Sequence, residues 1–323
     1  MTRAVGTVTG MIELSQLHDF GVFLRREALA CGYTDRDLSA AVRRGLLVRV
    51  RHGAYVASAV WAAANIEQRH RIRTVAVVLA HGDRVALSHT TAALHHGFRL
   101  WNVDLGRVHL LRLDGGPSRV FGDLVYHAAG WAADDICDRD GMLATAPARA
   151  AVEAASLQGV EAGLVILDSA IDLKAATPRE LAGAFESMIG WPSTRSLQIS
   201  IRLMRPGAQS VGETRTRYLC WMHGIPEPQL QFEVFDSGGA LVGITDFAWP
   251  ELGVLGEFDG RVKYGRLLRP GEEPGDVVFR EKRREDALRD VTGYRMVRVI
   301  WDDLGVARRT AARIRARLGL TGA

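Results

Sequence analysis

Apolar and polar positions change rhythm twice along the chain, and the changes mark blocks at residues 12–59, 60–205 and 206–323. In the first block the 3.6-residue spacing predicts a helix over 20–31, a Gly32-Tyr33 turn, and a second helix opened by Thr34 and stopped at Gly45. Thr34 followed by Asp37 fits a capping-box-like start, and glycine suits a left-handed helix stop. Leu38, Ala41 and Val42 form that helix's inner stripe and leave Arg36, Ser39, Ala40 and Arg43 outward. The rhythm then drops to two over residues 46–56, broken by His52-Gly53, which predicts a hairpin with Val48 and Val50 inward and Arg49 and Arg51 outward.

The middle block reads as mostly helical, with one strand pair at 107–113 and 124–127. Its alanine-rich stretches, 144–156 and 160–174, predict packed helices, with Asp168 and Asp172 on a solvated face. A Pro206-Gly207 break opens the third block. It predicts a helix over 211–223, a strand over 230–235, an acidic hairpin over 244–260, a charged helix over 277–290, an apolar strand over 294–301 and an arginine-rich last helix. Alternating elements of this kind imply a mixed sheet flanked by helices. The chain as a whole is expected to be α/β, a multi-domain α+β protein.

Composition narrows the class. A chain of 323 residues, 47% hydrophobic and 24% charged, is long enough for two or three cores and is not a disordered composition. Its longest apolar run, at 74–80, is far short of the ~20 residues of a membrane span. No secretory signal pattern follows Arg3, and Cys31, Cys137 and Cys220 are isolated thiols without a C-x-x-C pair, so a reducing cytoplasm is the expected compartment. The net charge of +4 is small, but its arginines gather at 43–51, 280–289 and 308–317, a distribution that suits a polyanion. Helix, turn, helix and hairpin make a winged-helix pattern, and Arg36, Arg43, Arg49 and Arg51 are its candidate DNA phosphate contacts. An amphipathic helix pair with a solvated arginine face gives the same spacing.

Candidate chemistry concentrates in Ile244-Thr245-Asp246-Phe247-Ala248-Trp249 and Val254-Leu255-Gly256-Glu257-Phe258-Asp259, which bring Asp246, Glu257 and Asp259 to one end of a hairpin. Clustered carboxylates repel one another and lose hydration, so they call for a cation or for hydrogen-bond donors. An all-oxygen set suits Mg2+ or Mn2+, which keeps positions for phosphate oxygen and attacking water. The competing reading is that these acids end strands at a solvated turn. The histidines of the middle block, His70, His81, His89, His95, His96, His109 and His127, keep no familiar ligand spacing and read as capping, surface or core residues.

Taken together, Ser210-Val211-Gly212-Glu213, Asp246-Phe247-Ala248-Trp249-Pro250, Glu257-Phe258-Asp259-Gly260, Glu281-Lys282-Arg283-Arg284-Glu285-Asp286 and Gly293-Tyr294-Arg295-Met296-Val297-Arg298 resemble the very-short-patch-repair-endonuclease-like domains of the PD-(D/E)XK superfamily, over about 206–304. The first block resembles the winged-helix domain of AbiEi-type antitoxins. The C-terminal resemblance implies a restriction-endonuclease-like sheet, with Asp246 as central metal ligand, Glu257 as the next and Glu213 as the acid of the first helix. Ser210-x-x-Glu213 is equally a capping box. Asp259 stands where the superfamily usually carries a lysine, which orients water and stabilises transition-state charge. Lys263 and Lys282 are the candidates to supply that cation from elsewhere.

Two functions follow as expectations. One is a DNA-binding, metal-dependent endonuclease acting in defence, restriction or repair. The other is a non-catalytic transcriptional regulator or antitoxin with a degenerate nuclease fold. Double-stranded DNA is the expected partner of both, with a second copy of the chain or a cognate toxin beside it. A nucleotidyltransferase toxin is disfavoured, because no Gly-Ser motif followed by paired aspartates is present.

Overall fold

A computed structural model describes residues 14–188, 194–260 and 274–320. The chain divides into two compact units, one from Met1–Phe98, Asn102–Gly159 and Ala175–Leu197, the other from Arg99–Trp101, Val160–Lys174 and Gln198–Ala323.

The first unit opens with a winged helix. Helices Arg25–Ala30 and Asp35–Arg43 pack on strands β1 (Phe23–Leu24), β2 (Leu47–Arg51) and β3 (Ala54–Ala57), an antiparallel sheet of order β1-β3-β2. The Thr34 hydroxyl accepts from the Asp37 amide and the Asp37 carboxylate accepts from the Thr34 amide, so two orphan donors of the second helix are satisfied. Gly45, at φ +71°, turns the chain out of it. Leu14, Phe23, Ala28, Leu38, Ala41, Leu47 and Tyr55 form the small core. The helix expected over 20–31 is shorter, beginning at Arg25. Val22, Phe23 and Leu24 are all buried, and Phe23 and Leu24 pair with Tyr55 and Ala54 of β3. Ladder bonds and burial there outweigh the helical spacing.

Beyond the wing the same unit holds a six-stranded mixed sheet, where a mostly helical block was expected. Its strands are β4 (Val85–Leu87), β5 (Val108–Arg112), β6 (Arg119–Phe121), β7 (Leu124–His127), β8 (Ile136–Arg139) and β9 (Met142–Thr145), in the order β6-β7-β5-β4-β9-β8. The pairs β5/β7 and β4/β9 are parallel. Strands this short give too few periods to be read, and the parallel pairs join segments distant in sequence. Helices Ile66–His81, His89–His95 and Pro147–Ser156 supply much of the unit's other buried surface.

The second unit is built on a sheet of order β10-β11-β12-β13, from β10 (Gln229–Phe235), β11 (Leu241–Trp249), β12 (Val254–Asp259) and β13 (Arg295–Ile300). The first two pairings are antiparallel and β12/β13 is parallel. Alternation along the strands fills two cores. Phe247, Trp249, Val254, Phe258, Val297 and Val299 face helices Val211–Met222 and Ala307–Leu318, whereas Val234, Ala248, Leu255 and Met296 face Leu288 of helix Pro274–Thr292. This is the mixed sheet flanked by helices that the sequence predicts. Among the described residues no helix is long and apolar enough to cross a membrane.

Candidate nucleic-acid interface and metal-ligand clusters

On the winged helix, Arg36 and Arg43 stand seven apart on the second helix and are exposed, as is Arg49 on β2. Leu38 and Ala41 on the opposite face are buried, so packing of the apolar stripe sets the arginines outward. Arg51 departs from expectation. It is half-buried, and its guanidinium donates to the Asp123 carboxylate at 3.0 Å. Alternation alone placed it on the open wing, but the register shift between Arg49 and Arg51 turns it back.

The acids of the second unit are held by three different arrangements. Glu213 lies in the first turn of helix Val211–Met222 and is 6% exposed. Its own amide donates to Ser210 Oγ at 3.1 Å, while its carboxylate accepts from the Gln209 amide at 2.8 Å and from Gln231 Nε2 at 3.2 Å. The expected capping box is thus shifted by one residue on its return bond. Burial pushes the Glu213 carboxyl above the usual range and the neighbouring Asp246 charge adds to this, against hydrogen bonds from Ser210 and Gln209. Asp246 lies one residue beyond the last β11/β12 pair, Phe247 with Gly256, and its carboxylate accepts from the Phe258 amide at 2.8 Å.

Glu257 and Asp259 share the face of Leu255, towards helix Pro274–Thr292. Phe258 points the other way, where a Cβ on Gly212 would come within 2.0 Å of its ring. Glu213, next to Gly212, therefore starts from the opposite side of the sheet to Glu257 and Asp259. Glu257 accepts from Arg284 at 3.0 Å, and Arg298 lies 3.8 Å from Glu257, 3.6 Å from Asp259 and 2.8 Å from Glu285. Arg298 owes this position to the parallel register that sets it beside Glu257. Two guanidinium groups thus stand against the charge of Glu257 and Asp259. Lys263 lies outside the described residues. The helix of Lys282 is described, but its side chain is outside them.

Among the described residues, the group of histidine, cysteine or acid side chains whose donor atoms all lie within 4.8 Å of one another is His89, His109 and His127. Sequence spacing did not reveal it, because the three come from separate elements. His109 on β5 and His127 at the end of β7 meet through the parallel pairing of those strands, and His89 opens the helix His89–His95. The signal was present in the strand pair expected at 107–113 and 124–127, each strand of which carries a histidine. Asp168, expected on a solvated face, is instead 2% exposed and accepts from Arg217 at 2.7 Å and from Thr214 Oγ1 at 2.9 Å.

Comparison with known proteins places the first block. Residues 11–57 match the family described as transcriptional regulator, AbiEi antitoxin. Two uncharacterized proteins of Mycobacterium tuberculosis, one from strain CDC 1551 and one from strain H37Rv, are each 28% identical over 285 residues, covering 88% of this chain and 96% of theirs. The crystal structure of the RV2827C protein from Mycobacterium tuberculosis is similar with a TM-score of 0.40 and 14% identity, over 70% of this chain and 86% of that one.

Proposed function

We propose that the protein is a cytoplasmic, double-stranded-DNA-binding regulator of the antitoxin type, whose C-terminal sheet has the frame of a PD-(D/E)XK nuclease but serves as a platform. The observation that carries this reading is the AbiEi-like winged helix with Arg36, Arg43 and Arg49 exposed on its second helix and wing. Guanidinium groups there meet phosphates without regard to base sequence and position the helix over a groove. Within the nuclease-like frame, the charge on Glu257 and Asp259 is met by Arg284 and Arg298 rather than left for a cation. A cognate toxin or a second copy of the chain is the protein partner this class implies.

The second reading, a metal-dependent endonuclease, draws support from Glu213 and Asp246, whose charges are close enough to raise the Glu213 carboxyl. Supercoiled and linear DNA incubated with the full chain and Mg2+ or Mn2+ separates the two. The regulator reading expects retarded but intact DNA. Metal-dependent nicking that disappears in Asp246→Ala overturns it and restores the nuclease.

A further inference from the structure

His89 and His127 line a cleft of about 1070 Å³ in the first unit, together with Asp135, Arg149 and Trp131, and His109 stands against both. The winged helix does not use them and neither does the acidic hairpin. Their placement is built from several elements. Thr91 Oγ1 accepts from the His109 amide at 2.9 Å and is itself 3.0 Å from His70 Nε2, which fixes β5 against the helix. His89 is held with φ at +48°, a left-handed conformation that a non-glycine residue adopts only where its surroundings enforce it. What enforces it is Glu153, fully buried, whose carboxylate accepts from the His89 amide at 3.2 Å, from Thr145 Oγ1 at 3.1 Å and from Arg149 Nε at 2.8 Å.

We propose that these three histidines bind one divalent transition-metal ion of the zinc class, with a coordination position opening into the cleft. His109 Nδ1 and His127 Nε2 are 2.9 Å apart, and the donors of all three residues lie within 4.8 Å of one another. A tetrahedral zinc with nitrogens at ~2.0–2.1 Å keeps them roughly 3.4 Å apart, so the observed spacing brackets what the ion needs. His89 Nδ1 lies 3.1 Å from Ser88 Oγ and 3.7 Å from the Glu153 carboxylate. A carboxylate behind a ligating imidazole is the usual means of fixing the ring and raising its basicity. The rings of His89 and His127 are stacked with centroids 3.7 Å apart, so loading turns the rings until their lone pairs converge and replaces the His109–His127 hydrogen bond.

Imidazole nitrogen selects zinc, nickel, copper or cobalt over magnesium.

The test is titration of Zn2+ into chelator-stripped full-length protein against a chromophoric competitor, with Co2+ as a spectroscopic probe of the same site. The expected result is one equivalent of zinc, a cobalt ligand-field spectrum, and a loss of affinity on the order of 100-fold or more in His109→Gln and His127→Gln, at least what losing an outer partner costs. Far-UV circular dichroism and DNA binding of the metal-free variants serve as controls for folding. No ligand-field spectrum in the wild-type protein, or a full equivalent retained when all three histidines are replaced, overturns the proposal. DNA binding by the winged helix stands or falls separately.

Discussion

At the residue scale, the buried pair Asp168–Arg217 shows how much one carboxylate holds in the second unit. Asp168 lies on helix Val160–Asp172, and its oxygens take Arg217, Thr214 and the Arg205 amide. Burial pushes its carboxyl up, and Arg217 opposes that shift. Replacing Asp168 with alanine removes the nearest carboxylate from a guanidinium that is 4% exposed, leaving it the Leu203 carbonyl and Glu227 at 3.7 Å. The expected cost is ~3–5 kcal/mol, the range for breaking a buried ion pair from one side, read as a lower denaturant midpoint at unchanged slope. The sequence shows Asp168 four residues before Asp172 and nothing of Arg217, 49 residues on. Pairings of that kind, like the Arg284 and Arg298 contacts to Glu257, are set by tertiary packing and leave no local trace. Glu213, by contrast, was legible as a helix-start residue, since capping depends on neighbours two to four positions away.

At the scale of elements, the approach of helix Val211–Met222 to β12 depends on one missing side chain. The ring of Phe258, itself buried, occupies the space where a Cβ on Gly212 would sit. Gly212→Ala should push the helix start from the sheet, destabilise by ~1–3 kcal/mol as overpacked cores do, and disturb the hydrogen bonds of Glu213. A melting temperature equal to the wild type's would show that the helix start is loosely packed. Elements with local punctuation were readable in advance: the Thr34 cap, the Gly45 stop, the His52-Gly53 hairpin and the acidic hairpin all appear. Strand β1, two residues long, and the three-residue strands β4 and β6 were not, because pairing with distant segments defines them.

At the scale of the molecule, the first unit is acid-sensitive by construction. Burial lowers His70 and His127 to about 4 and His95 and His109 to about 3, and takes His89 well below its ordinary value. The unfolded chain binds protons at these histidines near pH 6.5 while the folded chain does not, so stability is complete above that pH and falls as pH drops towards 4. Glu153 is shifted up by burial and offsets part of the loss. Thermal melts between pH 8 and 5 should show an unchanged midpoint above pH 7 and a steady decline below 6.5; a flat profile would mean the histidines are solvated.

At the same scale, the winged helix is expected to carry the protein onto duplex DNA. The measurement is the salt dependence of binding between the full chain and a double-stranded oligonucleotide, for the wild type and for Arg43→Ala with Arg49→Ala. Each lost phosphate contact removes ~0.9 from the slope of log K against log salt. A steep wild-type line and a variant slope shallower by about 1.8 are expected. Parallel lines for the two proteins, or no binding at low salt, would contradict this.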